Sequence, residues 1–259
     1  MIRLIGIELL KVRTTRTGFG LLAGEVALTA LDAILRASRA GSGKLAPLNT
    51  AAGLTNVLTL TGFALLMAAL LGATMSSGEF RHATATLTYL AYPNRTQVLI
   101  AKTLAAAIAG LAFGVIGAAI STGVGLTFVA AHGYPVALAA NTITGYALGA
   151  VLGAALLAAV GAALGSLIRS QLAVVVGILV WALFVESIVG GLFNSLGPYL
   201  PFTAATTLAG AKLGGGGFGY TGSSAATALP FAAATALVIA ATVLIATVAA
   251  RTTVTADIS

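Results

Sequence analysis

Residues 104–131 read LAAAIAGLAFGVIGAAISTGVGLTFVAA and contain no Asp, Glu, Lys, Arg or His. A helix needs roughly 20 apolar residues, at about 1.5 Å each, to cross the hydrocarbon core of a bilayer. This stretch exceeds that length. Five more of the same kind lie at 18–35, 54–75, 142–168, 172–193 and 229–250. Together with short connections they take up most of the 259 residues. Hydrophobic residues make up 59% of the chain and charged residues only 7%. A soluble domain carries about 25% charged residues to keep its surface wet, so this composition calls for lipid. No segment is left for a separate soluble domain, and the alternating ten-residue pattern of a β-barrel is absent. The expected fold class is an all-α integral membrane protein, a single domain of six transmembrane helices.

The net charge of +7 is read as topology rather than as a nucleic-acid footprint, because the basic residues gather at span ends. With the N-terminus inside, nine of the 13 Lys and Arg residues face inward: Arg3, Lys11, Arg13, Arg16, Arg81, Arg95, Lys102, Arg169 and Arg251. The remaining four, Arg36, Arg39, Lys44 and Lys212, face outward. The positive-inside rule therefore favours N-in and C-in. The first span is the most polar. Its Glu25 and Asp32 are seven residues apart and share a helix face, and a carboxylate turned to lipid is costly.

Between the spans, three segments stand out. Residues 1–16 form an expected interfacial helix, with Ile2, Ile5, Leu9 and Val12 on one face and basic residues at its end. Residues 76–97, SSGEFRHATATLTYLAYPNRTQ, are the most polar inner stretch. A helix capped by Ser76 or Ser77 is expected there, ended by Pro93 and Asn94. Lying along the inner face, it would expose Glu79, Arg81, His82 and Thr86 and bury Phe80, Leu87 and Leu90. Residues 197–213, GPYLPFTAATTLAGAKL, are apolar but broken by Pro198 and Pro201. They are too short to span and suit a re-entrant outer segment.

Glycines four apart, at Gly110 and Gly114, at Gly145, Gly149 and Gly153, and at Gly161 and Gly165, let helix backbones approach closely in lipid. Tight packing within one bundle is the first reading and a dimer seam the second. Other motifs exclude chemistry. Gly214, Gly216 and Gly219 match GxGxxG without a βαβ context and read as a linker. No phosphate-binding loop precedes Lys102-Thr103, so nucleotide hydrolysis has no site here. His82 and His132 fall on opposite faces, cysteine is absent, and no serine elbow is visible. Catalytic, metal and cofactor sites are not expected on this chain. Glu186, inside the fifth span, must be paired, hydrated or protonated. It reads equally as part of a substrate or proton path and as a side chain bonded to backbone or Ser187. Trp181 reads first as packing or an interface anchor.

The order ELLKVRTTR (8–16), SSGEFRHATATLTYLAYPNRTQVLIAK (76–102), LGSLIRSQLAVVVGILVWALFVE (164–186) and YLPFTAATTLAG (199–210) resembles the permease subunit of an ABC-2 type ABC transporter, of the six-span kind common in high-GC actinobacteria. The resemblance covers nearly the whole chain and is most specific at Glu79–Leu90. It implies a multi-pass protein of a bacterial plasma membrane that pairs with a second copy, as a homodimer, and docks two ATPase subunits, which bind the ATP and Mg. It implies a coupling helix in which Glu79, Phe80, Arg81, His82, Thr84 and Thr86 contact the ATPase, an N-terminal helix that supports that contact, and a re-entrant outer lid. The expected function is then a non-ATPase subunit of an exporter for an amphipathic or lipid-like compound. Glu186, Trp181, Glu25 and Asp32 are the candidates for the substrate path. Many relatives carry proline after the fifth-span glutamate, where this chain has Ser187. The alternative is a self-contained secondary transporter driven by protons through Glu186 or the Glu25/Asp32 pair.

Overall fold

The computed structural model describes residues 1–43, 45–59, 62–81, 90–193, 195–210 and 229–252. They form an all-helical bundle. Helix α1 covers Ile2–Thr14, α2 Arg16–Arg39, α3 Ala51–Leu58, α4 Gly62–Arg81, α5 Arg95–Ala131 and α6 Ala140–Leu167. Next come α7 (Gln171–Val180), a π-helical turn (Trp181–Val185) and α8 (Glu186–Leu192), which run on as one rod. A 3-10 turn at Gly197–Tyr199, α9 (Pro201–Leu208) and α10 (Phe231–Thr252) follow. Six of these rods are long and apolar enough to cross a membrane: Arg16–Arg39, Ala51–Arg81, Arg95–Ala131, Ala140–Leu167, Gln171–Leu192 and Phe231–Thr252. They coincide with the six apolar stretches of the sequence, with two differences in detail.

The first difference is a break. The second apolar stretch was expected to be one continuous helix, but Thr59 turns extended (φ −69°, ψ 132°) and ends α3. The end of a helix leaves carbonyls without intrahelical partners. Here the Ser121 hydroxyl of α5 lies 3.3 Å from the Leu58 carbonyl oxygen and supplies a donor. At its other end α3 is capped by Thr50, whose hydroxyl accepts from the Gly53 amide. The second difference is length. At about 1.5 Å per residue, the 37 residues of α5 reach about 55 Å, well beyond a hydrocarbon core of about 30 Å. The extra turns are Arg95–Thr103, begun by Asn94, whose side chain accepts from the Gln97 amide.

Small residues set the centre of the bundle. A Cβ at Gly72 of α4 would run into the Ala158 carbonyl of α6, and one at Gly161 of α6 into the Ala69 carbonyl of α4. Between α5 and α6, a Cβ at Gly110 would sit 2.7 Å from the Ala154 carbonyl and one at Gly114 2.6 Å from the Val151 Cα. Gly149 meets the Leu208 carbonyl of α9, and Gly165 the Ala73 carbonyl. These glycines thus pack helices inside one chain, the first of the two readings; only Gly145 has open space around it. In lipid, where apolar side chains gain little by leaving the solvent, backbone approach and dispersion hold helices together. The buried core follows this axis, through Leu65, Ala69, Ala154, Leu157, Ala158 and Ala205. Apolar side chains point outward from α2 (Phe19, Leu31), α7 and α8 (Val176, Phe184, Ile188) and α10 (Val243, Leu244).

Charges separate between the two ends. Arg81 and Lys102 lie on the ends of α4 and α5 near α1, and Arg169 and Arg251 at the ends of α6 and α10 that pack on the start of α5. Arg36 and Arg39 sit at the opposite end, beside α3 and the close of α5. Lys44 and Lys212 lie outside the described residues.

Candidate functional site

Four charged side chains meet at the basic end. Glu8 and Lys11 come from α1, Glu79 from the last turn of α4 and Lys102 from the extended start of α5. The Lys102 Nζ lies 2.7 Å from Glu79 Oε1 and 3.4 Å from both Glu8 oxygens. The Lys11 Nζ donates to Glu8 Oε1 at 2.8 Å and to Glu79 Oε1 at 2.5 Å. Two carboxylates and two ammoniums cancel in charge. Glu8, Glu79 and Lys102 are buried, whereas Lys11 is 40% exposed on its side chain. Removing any one member would leave an uncompensated charge in a low-dielectric site. Burial pulls the Lys11 pKa down, but hydrogen bonds to Glu79 and Glu8 and their negative charges outweigh it and hold the value above the usual 10.5.

This cluster corrects three expectations. Glu79 is not exposed for docking; it is buried inside the ion network. Ser76 and Ser77 do not start a new helix, because α4 runs through them to Arg81 and the Ser77 hydroxyl donates back to the Ala73 carbonyl. On α1 the fully buried residues are Leu4 and Glu8, neither of them in the expected stripe; Ile5, Leu9 and Val12 of that stripe are half-buried, with Leu9 and Val12 packed on the core, while Ile2 is 87% exposed. Phe80 is half-buried and Arg81 is exposed. His82, Thr84, Thr86 and Leu87 lie outside the described residues; Leu90, expected to be buried, is exposed.

Beside the cluster is a cavity of about 440 Å³ between the α1–α2 joint, α4 and the start of α7. Its rim carries Arg81, whose Nη1 lies 3.4 Å from Gln171 Oε1.

The far side of the bundle holds a second polar arrangement. Glu186, 2% exposed, accepts from the Phe202 and Thr203 amides at 2.8 Å each, from the Thr203 hydroxyl at 2.9 Å and from the Trp181 indole at 3.1 Å. Those amides are the free donors at the N-terminus of α9, whose own N-cap, Leu200, has no side-chain oxygen to offer. The carboxylate of one helix therefore caps another. The π-helical turn makes this possible. Residues five apart on an α-helix point about 140° away from each other, whereas the wider π turn brings Trp181 and Glu186 into line. Ser187, suggested as a partner, donates to the Leu183 carbonyl instead. α9, within the proline-broken segment, is wedged against α4, α6 and α10, with Phe202, Ala204, Ala205 and Leu208 buried. Two residues past its end stands Gly210, whose φ of +84° suits glycine and whose missing side chain leaves room for the Tyr146 ring. Residues 211–213 and the linker at 214–222 lie outside the described residues.

Glu25 and Asp32 share a helix but not an environment. Asp32 pairs with Arg36 at 2.8 Å, and Arg36 also donates to the Asn56 carbonyl, tying α2 to α3. Glu25 is fully buried, and among the described residues neither of its oxygens has a hydrogen-bond partner. Thr29, one turn on, is in the same position. Among the described residues no three His, Asp or Glu side chains gather in a way that could hold a metal ion.

Sequence reasoning missed Glu8 and Lys102. The available signal was a charge set among apolar neighbours at a membrane boundary, which demands a partner.

No protein-family model matches the chain, and a search of curated proteins found no match. What the chain itself establishes is an all-helical fold with six helices long and apolar enough to cross a membrane, as in a multi-pass membrane protein.

Proposed function

We propose that this chain is the membrane-spanning permease subunit of an ATP-driven ABC transporter, an exporter of an amphipathic small molecule or lipid-like compound. Two copies pair in a bacterial plasma membrane, and two separate ATPase subunits, which bind ATP and Mg, dock on the basic end. That end is cytoplasmic by the positive-inside rule, giving an N-in, C-in topology. Residues 76–97 are the coupling segment and 197–213 the re-entrant outer segment.

The observation that supports this reading most is the Glu8–Lys11–Glu79–Lys102 cluster. It fastens α1 to the bases of the two helices that flank the coupling segment. A push on that segment reaches α4 and α5 through buried ion pairs rather than through a slack loop. Glu79 is then the internal anchor of the lever, and Phe80 and Arg81 remain on its accessible side with His82, Thr84 and Thr86 following in sequence. The test is affinity capture of the solubilised chain from its native membrane, with any co-purifying Walker-motif ATPase quantified. Arg81→Glu should lower ATPase recovery at least tenfold while thermal unfolding stays unchanged. Recovery of no ATPase by the unmodified chain, or equal recovery by the variant, counts against the reading.

One observation favours a second reading, a self-contained proton-coupled secondary transporter. Glu25 is a buried carboxyl without a partner among the described residues, the kind of group that marks proton paths inside membranes. Of the four substrate-path candidates, Asp32, Trp181 and Glu186 are already engaged. Transport by the purified chain alone in liposomes under a pH gradient, abolished by Glu25→Gln, would select this reading over the first.

A further inference from the structure

We propose that the 440 Å³ cavity beside the ion cluster is a binding site for one anionic phospholipid, its phosphate on Arg81 and its hydrocarbon along α4. The volume falls within the roughly 300–1,000 Å³ of ordinary ligand pockets. Two kinds of wall meet in it. Val12, Leu71 and Met75 form an apolar wall, and Gly78 adds bare backbone, with no atom within 4 Å of where its Cβ would stand. The polar side holds Lys11, Arg81 and Gln171, the carboxylates Glu8 and Glu79, and threonines including Thr17.

Charge decides which amphiphile fits. Glu8 and Glu79 are matched by Lys11 and Lys102. That leaves Arg81 as the charge in the lining with no carboxylate partner among the described residues, its Nη1 3.4 Å from the neutral Gln171 amide oxygen. A guanidinium presents a planar fork suited to phosphate oxygens. The cavity lies where the apolar part of α4 gives way to its charged last turn, the depth at which a lipid changes from chain to headgroup. This assignment is independent of whether the chain moves a cargo.

Native mass spectrometry of the full chain in detergent, titrated with phosphatidylglycerol and with phosphatidylcholine, tests it. One phosphatidylglycerol should be retained per chain at a concentration at least tenfold below that needed for phosphatidylcholine. Arg81→Gln, which removes the phosphate partner, and Gly78→Phe, which fills open space, should each weaken retention at least tenfold. Arg251→Gln, at another helix end of the same face, should leave it within twofold. Equal retention of the two lipids overturns the proposal, as does unchanged retention in both cavity variants or an equal loss in the Arg251 control. Displacement by millimolar inorganic phosphate would assign the site to a free anion and overturn the lipid as its occupant.

Discussion

The Lys102 ammonium lies 2.7 Å from the Glu79 carboxylate, so the end of α4 and the start of α5 are joined by a buried ion pair across the polar segment that separates them in sequence. Lys102→Met should strip Glu8 and Glu79 of one of their two cations and destabilise the protein by about 3–5 kcal/mol, the usual cost of leaving a buried charge unpaired. The double variant Lys102→Met, Glu79→Gln removes one charge of each sign and should lose less. Thermal unfolding in detergent, followed by circular dichroism, compares the two. A double variant that is no better than the single one would show that the pair is not coupled.

The hydrogen bonds that Glu186 accepts should be readable from a single fluorophore, because Trp181 is the only tryptophan. Glu186→Gln weakens charge-assisted bonds to the start of α9, at a cost of about 1.5–3 kcal/mol. Hydrogen exchange at Phe202 and Thr203 should accelerate, and the Trp181 emission should shift. Unaltered exchange at those two amides would mean that α9 is held by its packing alone.

Glycine substitutions should divide sharply. Gly161→Ala and Gly72→Ala place a Cβ against a backbone carbonyl of the neighbouring helix. Each should cost about 1–3 kcal/mol, the range for overpacking. Gly145→Ala and Gly177→Ala, with open space around them, should instead stabilise by about 0.4–1 kcal/mol through helix preference and a less flexible unfolded chain. Unfolding midpoints of the four variants settle the order.

Lys11 predicts an alkaline limit. Its folded pKa is raised above 10.5, so its stabilising contribution is fully present below that value and is lost as pH rises through the raised one. The difference in unfolding midpoint between the wild type and Lys11→Met should be constant from pH 7 to 10 and shrink above 10.5. A difference that already disappears near pH 8 would contradict the ion-pair geometry.

The spans were legible because an apolar run of roughly 20 residues with at most two charges has few other uses. The break at Thr59 was not, since no proline or charge marks it and its polar support, Ser121, lies 63 residues away from the carbonyl it serves. The early start of α5 left a trace that composition hid. RTQVLIAKT is polar enough to pass for a loop, yet Asn94 with Gln97 three residues on has the spacing of a helix cap. Glu186 was recognised as needing partners, but which ones depended on a π turn and on amides 16 and 17 residues further along. The charge cluster joins positions 68 and 94 residues apart, a pairing that no local pattern encodes.

Because α4 and α6 touch backbone to backbone at Gly72 and Gly161, there is no cushion of side chains between them to shear. Neither helix can roll on its own axis without prising the other away. Any large rearrangement must carry these two as one stiff spine, with the swing confined to the helices around it.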